Sequence, residues 1–129
     1  MKKIVDFLLE CKNLKVLIGK SVLYLCYNRN MAQYALMNLP AESEELKVCT
    51  IHSLLGSYMS EDVSEMQLDE LISNYHKLHT PIDRIFDVLV VDEGQDLMYD
   101  YVWETIDPFL DQGIESGEWI VFTDPNQSI

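Results

Sequence analysis

The run Val88-Leu89-Val90-Val91, followed directly by Asp92 and Glu93, is the feature of this sequence that most constrains its fold. A short apolar run rich in β-branched residues is typical of a strand buried on both faces, as in parallel sheets covered by helices. Ligand sites in such proteins lie at the carboxyl ends of the strands. The pattern therefore predicts an α/β fold with two carboxylates at the functional edge of its sheet.

A second apolar run, from Trp119 to Thr123, also ends in polar residues, and further strands are predicted at residues 22–26 and 47–50. Helical spacing of apolar residues predicts helices at about 4–18, 31–39, 51–59, 66–78 and 101–110. Ser64 and Gln67 have the spacing of a capping box and predict the start of the fourth helix. Strands that alternate with helices predict a three-layer α/β sandwich with a mainly parallel sheet, and residues 1–129 fit a single domain.

Four stretches resemble, in the same order, motifs of the UvrD/Rep-type superfamily 1 DNA helicases. Residues 92–96 (DEGQD) after their apolar run resemble motif II, and residues 124–128 (DPNQS) resemble motif III. Residues 23–30 (LYLCYNRN) resemble motif Ia, and residues 49–54 (CTIHSL) resemble the Thr-Φ-His-Ser motif, where Φ is apolar. The resemblance spans residues 19–129, nearly the whole chain.

This resemblance implies a P-loop NTPase (RecA-like) fold, of which the chain would be a partial domain, with Mg²⁺ and ATP as the cofactors of an intact parent. It implies that Asp92 is the Mg²⁺-associated carboxylate and that Glu93 is the base that activates the attacking water. Gln127 would sense the γ-phosphate, and Gln95 and Asp124 would belong to the nucleotide site. The implied parent is an ATP-dependent DNA helicase.

Five more residues match positions that contact single-stranded DNA in that family: Asn28, Arg29, Thr50, His52 and Ser53. The chain itself is acidic, because 9 Lys and Arg residues against 22 Asp and Glu residues give a net charge of −13. Such a field repels nucleic-acid phosphates. We therefore expect this chain alone to bind DNA weakly or not at all.

The phosphate-binding loop G-x-x-x-x-G-K-[ST], which cradles nucleotide phosphates with its backbone N–H groups and its Lys, does not occur in the sequence. Gly19-Lys20-Ser21 resembles its last residues, but position 14, where the first Gly belongs, is Leu14. This tripeptide also follows a helical pattern and precedes a strand, whereas a phosphate loop follows a strand and opens a helix. We expect a helix end and a turn there, and no ATP hydrolysis by the chain alone.

Several of these residues also have ordinary structural interpretations. Acidic residues after a strand can cap the following helix, and Asp-Pro-Asn is common in turns, so Asp124 is as well explained by a turn as by a site. His52 can be a satisfied structural histidine. His76 and His79 lack convincing partners for a metal site.

Two other functions are alternatives to the helicase interpretation. One is a non-enzymatic acidic module that kept the fold and binds a protein partner. The other is a receiver-like phospho-acceptor domain, which requires an acidic pair after its first strand, where this chain has Cys26-Tyr27-Asn28. A strand followed by G-x-G-K-T encoded in frame upstream of Met1 would favour the helicase interpretation over the interaction module.

Composition and strand order predict the compartment and one self-association surface. The chain has no run of eighteen apolar residues, and its three cysteines lack metal-ligand spacing, which indicates a cytoplasmic protein without a membrane span. In the helicase fold the phosphate-loop strand lies beside the motif III strand. Without it, the strand from Glu118 to Thr123 would be an apolar edge, and we expect a homo-oligomer through that edge unless the segment before Gly19 covers it.

Overall fold

The chain was characterised by a computed structural model that describes residues 20–26, 28–38, 46–92 and 99–122. The predicted helix at residues 4–18 lies outside these ranges. The strands are β1 (Val22–Cys26), β2 (Leu46–Thr50), β3 (Val88–Asp92) and β4 (Glu118–Phe122). The helices are α1 (Arg29–Asn38), α2 (Ile51–Gly56), α3 (Leu68–Leu78), α4 (Asp100–Ile106) and α5 (Gly113–Ser116), with a 3₁₀ turn at Asp107–Phe109.

The four strands form an all-parallel sheet in the order β2-β1-β3-β4, with helices between them in sequence. Val22 of β1 is opposite Leu46 of β2 and Val88 of β3, and Val88 is opposite Glu118 of β4. All residues of β1 and β3 are buried. The apolar run at residues 88–91 therefore lies in an inner strand that is buried on both faces, as the sequence predicts.

A separate apolar core covers each face of the sheet because side chains alternate between the two faces along each strand. The larger core contains Leu23, Leu25, Leu89 and Val91 and packs against α2, α3 and α4. The smaller contains Val22, Tyr24, Val88 and Val90 and packs against Met31, Ala32 and Ala35 of α1. The described helices thus lie on both faces of the sheet.

The capping box predicted at Ser64 is wrong. Helix α3 begins at Leu68, its N-cap is Gln67, and no side chain caps it. The backbone N–H of Ser64 instead donates to Asp62 Oδ1 at 3.0 Å. The short helix α5 lies between the predicted helix at 101–110 and the predicted strand from Trp119, where the sequence pattern indicated neither helix nor strand.

Polar contacts tie the strands together at the amino edge of the sheet, opposite Asp92. The Lys20 ammonium group pairs with Glu118 at 2.9 and 3.1 Å from its two carboxylate oxygens. The Ser21 backbone N–H donates to Asp87 Oδ2 at 2.8 Å, and the Asp87 N–H donates to Ser21 Oγ at 3.0 Å. Lys20 and Ser21 therefore lie roughly 16 Å along the strands from Asp92, at about 3.3 Å per residue.

Strand β4 is at one end of the sheet order within the described residues. Its residues are exposed or half-buried, and Trp119 is 45% exposed. The predicted self-association through this strand stays a prediction. No helix among the described residues is long and apolar enough to cross a membrane.

We expect the chain to form a homodimer or larger oligomer through β4, because an apolar strand at the end of a sheet can align with the same strand of a second copy. Light scattering after size exclusion measures this, and Val121→Lys is expected to return a monomer. Val121 also packs against the larger core, so Val121→Ala, which loses packing without adding charge, is the control and should remain oligomeric. A monomeric wild type at high concentration, or an oligomer unaffected by the lysine, would contradict the prediction.

Candidate functional site at the carboxyl edge of the sheet

The carboxyl ends of β1 and β3 lie side by side where the strand order changes direction. The chain leaves β1 for β2 on one side and leaves β3 for β4 on the other. Cys26, the last residue of β1, is opposite Asp92, the last residue of β3. Open α/β sheets bind ligands in the crevice at such a point because the two connections diverge there.

Asp92 is a buried acid at this position, with only 1% of its surface exposed. Its side chain lies on the same face as Tyr24, because Tyr24 is opposite Val90, two residues before Asp92 in β3. The Tyr24 hydroxyl donates a hydrogen bond of 3.0 Å to Asp92 Oδ2. This contact orients the carboxylate at the end of the strand.

The neighbours of Asp92 remain protonated. Burial, followed by the Asp92 charge, raises the pKa of the Tyr24 hydroxyl well above its usual range. Burial, and next the same carboxylate, raises the pKa of the Cys26 thiol in the same way. Tyr24 is therefore a hydrogen-bond donor, and Cys26 is not a thiolate nucleophile at neutral pH.

We expect the stability of the fold to decline as pH rises above about 10. A Tyr hydroxyl in the unfolded chain ionises near 10.0, whereas the raised pKa keeps Tyr24 neutral in the fold. Tyr24 therefore contributes its full stabilisation below about pH 10, and this contribution is lost progressively as the pH rises above that value. Tyr58, whose pKa burial and Asp83 raise to about 12, adds a second contribution of the same sign.

The variant Tyr24→Phe removes the hydroxyl group, so that its hydrogen bond is tested at pH 7 and its ionisation is tested above pH 10. At pH 7 it is expected to lower the free energy of unfolding by about 1.5 to 3 kcal/mol, because the buried Asp92 carboxylate loses a donor. Above pH 10 its stability should decline less steeply, so that the two curves converge. Urea unfolding between pH 7 and 11 is the measurement, and parallel curves would show that Tyr24 does not titrate with folding.

The five residues predicted to contact DNA line one groove of about 1110 Å³. This carboxyl-edge groove lies between the first residues of α1 and α2, the segment 61–69, and the Tyr99 and Tyr101 side chains. The predicted residues thus come together at the same sheet edge as Asp92. Their bonding determines what each can contribute.

Two of the five cap helices. Asn28 Oδ1 accepts from the Met31 backbone N–H at 3.0 Å, at the start of α1. Thr50 Oγ1 accepts from the Ser53 N–H at 3.1 Å and is the N-cap of α2. Both side chains therefore satisfy backbone donors that a helix start leaves unpaired.

His52 also has a structural partner. Its Nε2 lies 2.8 Å from the Met66 carbonyl oxygen, and because a carbonyl only accepts, Nε2 carries the proton. This bond fastens the segment before α3 to helix α2. Arg29 and Ser53 are exposed, and Arg29 is the cation of the groove.

Four predicted nucleotide-site residues lie outside the described residues: Glu93, Gln95, Asp124 and Gln127. Gly19 lies outside them as well. Their assigned roles stay predictions. Of the predicted nucleotide site, Asp92 is the residue that the structure describes.

His76 joins two helices. Its Nε2 lies 2.8 Å from Thr105 Oγ1, and that hydroxyl donates to the Tyr101 carbonyl at 2.7 Å. His79 ends α3 in the left-handed conformation, with φ of 50°. Within the described ranges, no group of three His, Cys, Asp or Glu residues could hold a metal ion.

Two features of the site were not foreseen. The Tyr24 contact with Asp92 depends on the register of β1 and β3. Each of the two residues lies an even number of positions after the first residue of its strand, and this spacing would have indicated that both side chains lie on the same face of the sheet. Tyr99 and Tyr101 stack with ring centroids 5.5 Å apart at 22° and line the groove. Nothing in their spacing indicated that they would face the motif Ia residues.

Comparison with known proteins gave no match to a protein-family model, a curated protein or a solved structure.

Proposed function

We propose that this chain contains the magnesium and nucleotide edge of a UvrD/Rep-type superfamily 1 helicase ATPase domain, a three-layer P-loop NTPase fold of the RecA-like type. In this assignment Asp92 is the Mg²⁺-associated carboxylate and Glu93 the base that activates water. Gln127 senses the γ-phosphate, and Gln95 and Asp124 complete the nucleotide site. The 129-residue chain alone does not hydrolyse ATP, because it contains no phosphate loop.

The position of Asp92 supports this proposal most strongly. A buried carboxylate at the end of an inner parallel strand is costly unless it is hydrogen-bonded, and it has little value for packing. Here its oxygen accepts from a tyrosine hydroxyl that is itself fully buried in the sheet. Such an oriented acid at the strand-order switch point suits a ligand site better than a surface cap.

The residues present suit Mg²⁺ only as part of a nucleotide complex. Mg²⁺ keeps several waters and binds to proteins through one or two carboxylates together with substrate phosphates. Asp92 offers one carboxylate, and the described residues contain no cluster that would bind the metal by itself. Bound there, Mg²⁺ would neutralise charge that develops on the phosphoryl group.

The phosphates would have to be held by groups other than Lys20 and Ser21. Both residues lie at the amino edge, where Lys20 pairs with Glu118 and Ser21 bonds Asp87. Lys20 and Ser21 directly precede strand β1, whereas the end of a phosphate loop opens a helix.

The proposal is tested with Mn²⁺·ATP, since Mn²⁺ replaces Mg²⁺ and broadens the NMR signals of nearby amides. We expect selective broadening at Cys26 and Asp92 in a ¹⁵N-labelled chain, and its loss in Asp92→Asn. Asp87→Asn is the matched control because it removes the same charge from the opposite edge of the sheet, just before β3.

The proposal fails if broadening is equal in wild type and Asp92→Asn. It also fails if the broadened amides lie at the amino edge around Ser21 and Asp87. A signal that Asp87→Asn leaves unchanged and Asp92→Asn abolishes supports Asp92 as the metal-associated acid.

A second candidate is a non-enzymatic acidic module that binds a protein partner. The charge of the carboxyl-edge groove favours it, because the described lining contains one Arg and three carboxylates. That lining does not suit a phosphate backbone, which proteins bind chiefly with Lys and Arg. Both candidates predict weak or absent DNA binding by this chain.

A further inference from the structure

The carboxyl-edge groove is lined by more acidic than basic side chains in the described part of the chain. Its lining contains Glu61, Asp62 and Asp69 against Arg29, so the charge is 1 − 3 = −2. The ion pair formed among the described residues is Lys20 with Glu118, at the opposite edge of the sheet. The groove therefore has an excess of negative charge that a ligand can neutralise.

Local hydrogen bonds hold two of these carboxylates, Asp62 and Asp69, in place. The Ser64 backbone N–H lowers the pKa of the Asp62 carboxyl, and Arg29 adds a smaller contribution of the same sign. Asp69 Oδ1 accepts from the Glu70 N–H at 2.8 Å, in the first turn of α3. The bond from His52 to the Met66 carbonyl fixes the same segment against α2.

Aromatic rings supply a second, independent element of recognition. Tyr99 is 53% exposed and Tyr101 37%, and their stacked rings line the groove. Exposed tyrosine faces attract guanidinium and ammonium groups. A volume of about 1110 Å³ exceeds the roughly 300 to 1,000 Å³ of small-molecule pockets and accommodates several extended residues.

We propose that the carboxyl-edge groove binds an extended cationic peptide segment of a partner protein. Arg or Lys side chains of the partner pair with Glu61, Asp62 and Asp69, and one cationic group stacks on Tyr99 and Tyr101. This proposal does not depend on the nucleotide edge, because none of its residues belongs to that site.

The test uses fluorescence anisotropy with a labelled peptide of four Arg-Ser repeats at low and physiological salt. A peptide of four Glu-Ser repeats and a twelve-nucleotide dT strand are measured beside it. We expect the cationic peptide to bind and the other two not to bind. No binding of the cationic peptide, or tighter binding of the dT strand, would overturn the proposal.

Matched variants separate the groove from general charge attraction. Glu61→Gln with Asp69→Asn is expected to weaken peptide binding about tenfold, at the energies typical of exposed ion pairs. Glu104→Gln with Glu115→Gln makes the same change in net charge at exposed sites outside the groove, and should change binding less than about twofold. Equal weakening by both pairs would show that the groove is not the site.

The aromatic contribution has its own variants. Tyr99→Ala is expected to weaken binding about threefold, and Tyr99→Phe should restore it because phenylalanine keeps the ring face. If Tyr99→Ala binds as tightly as wild type, the tyrosine pair has no role and this part of the proposal is wrong.

Discussion

The purified 129-residue chain is expected to hydrolyse ATP no faster than a buffer control, with or without single-stranded DNA. Asp92 supplies an oriented carboxylate, but phosphoryl transfer depends mainly on cradling and neutralising the β- and γ-phosphates. The sequence contains no phosphate loop, and Lys20 lies at the wrong edge of the sheet. An arginine finger, which acts from a second domain in the helicase family, is alone worth roughly 10³ to 10⁵ in rate.

A coupled phosphate-release assay measures this, with Glu93→Gln as the comparison. Hydrolysis that rises with single-stranded DNA and disappears in Glu93→Gln would contradict the expectation. Activity that Glu93→Gln leaves unchanged would indicate a contaminating ATPase, because that variant removes the predicted base.

Gly117→Ala is expected to lower the free energy of unfolding by about 3 kcal/mol, at the upper end of ordinary overpacking effects. A Cβ atom at this position would contact the backbone carbonyl oxygen of Gly113 and would lie 2.5 Å from that of Asp111. The Gly113 oxygen cannot move freely, because the Gly117 N–H donates to it at 2.7 Å, and both oxygens belong to the backbone. The midpoint of thermal unfolding should decrease by roughly 10 °C.

Gly56→Ala is the control for that measurement. Among the described residues its added Cβ would meet Val63 Cγ2 at 2.8 Å, a methyl group of the core that would have to shift, rather than a backbone atom. Gly56 is also in helix α2, where alanine is favoured over glycine by about 1 kcal/mol. We expect a change within about 1 kcal/mol, and equal losses in the two variants would refute the backbone clash.

The sheet was largely predictable because its inner strands are continuous apolar runs. Strand β1 was predicted with the same limits, and β3 was predicted together with the acid at its end. Helix ends were less predictable, since they depend on local contacts. The sequence predicts a helix over residues 101–110, whereas α4 ends at Ile106 and a 3₁₀ turn contains Pro108.

The meeting of residues distant in sequence was predictable only in part. Asn28, Arg29, Thr50, His52 and Ser53 lie at or just after the ends of predicted strands, but the sequence did not predict that they line one groove. Their hydrogen bonds could not be predicted. The sequence around His52 is the same whether its side chain bonds the Met66 carbonyl or faces a ligand. The Tyr24 contact with Asp92 required a register between strands 66 residues apart, as Val22 and Val88 illustrate.

The same strand order governs how the polypeptide emerges from a ribosome. Strand β1 obtains its first neighbour when Leu46 pairs with Val22, but its other neighbour begins only at Val88. Until then one edge of this fully apolar strand has no neighbouring strand. Contacts between residues so distant in sequence also form slowly. The nascent chain therefore passes through a long interval in which β1 is open to wrong partners, so chaperone dependence during synthesis should be greatest before β3 has left the exit tunnel.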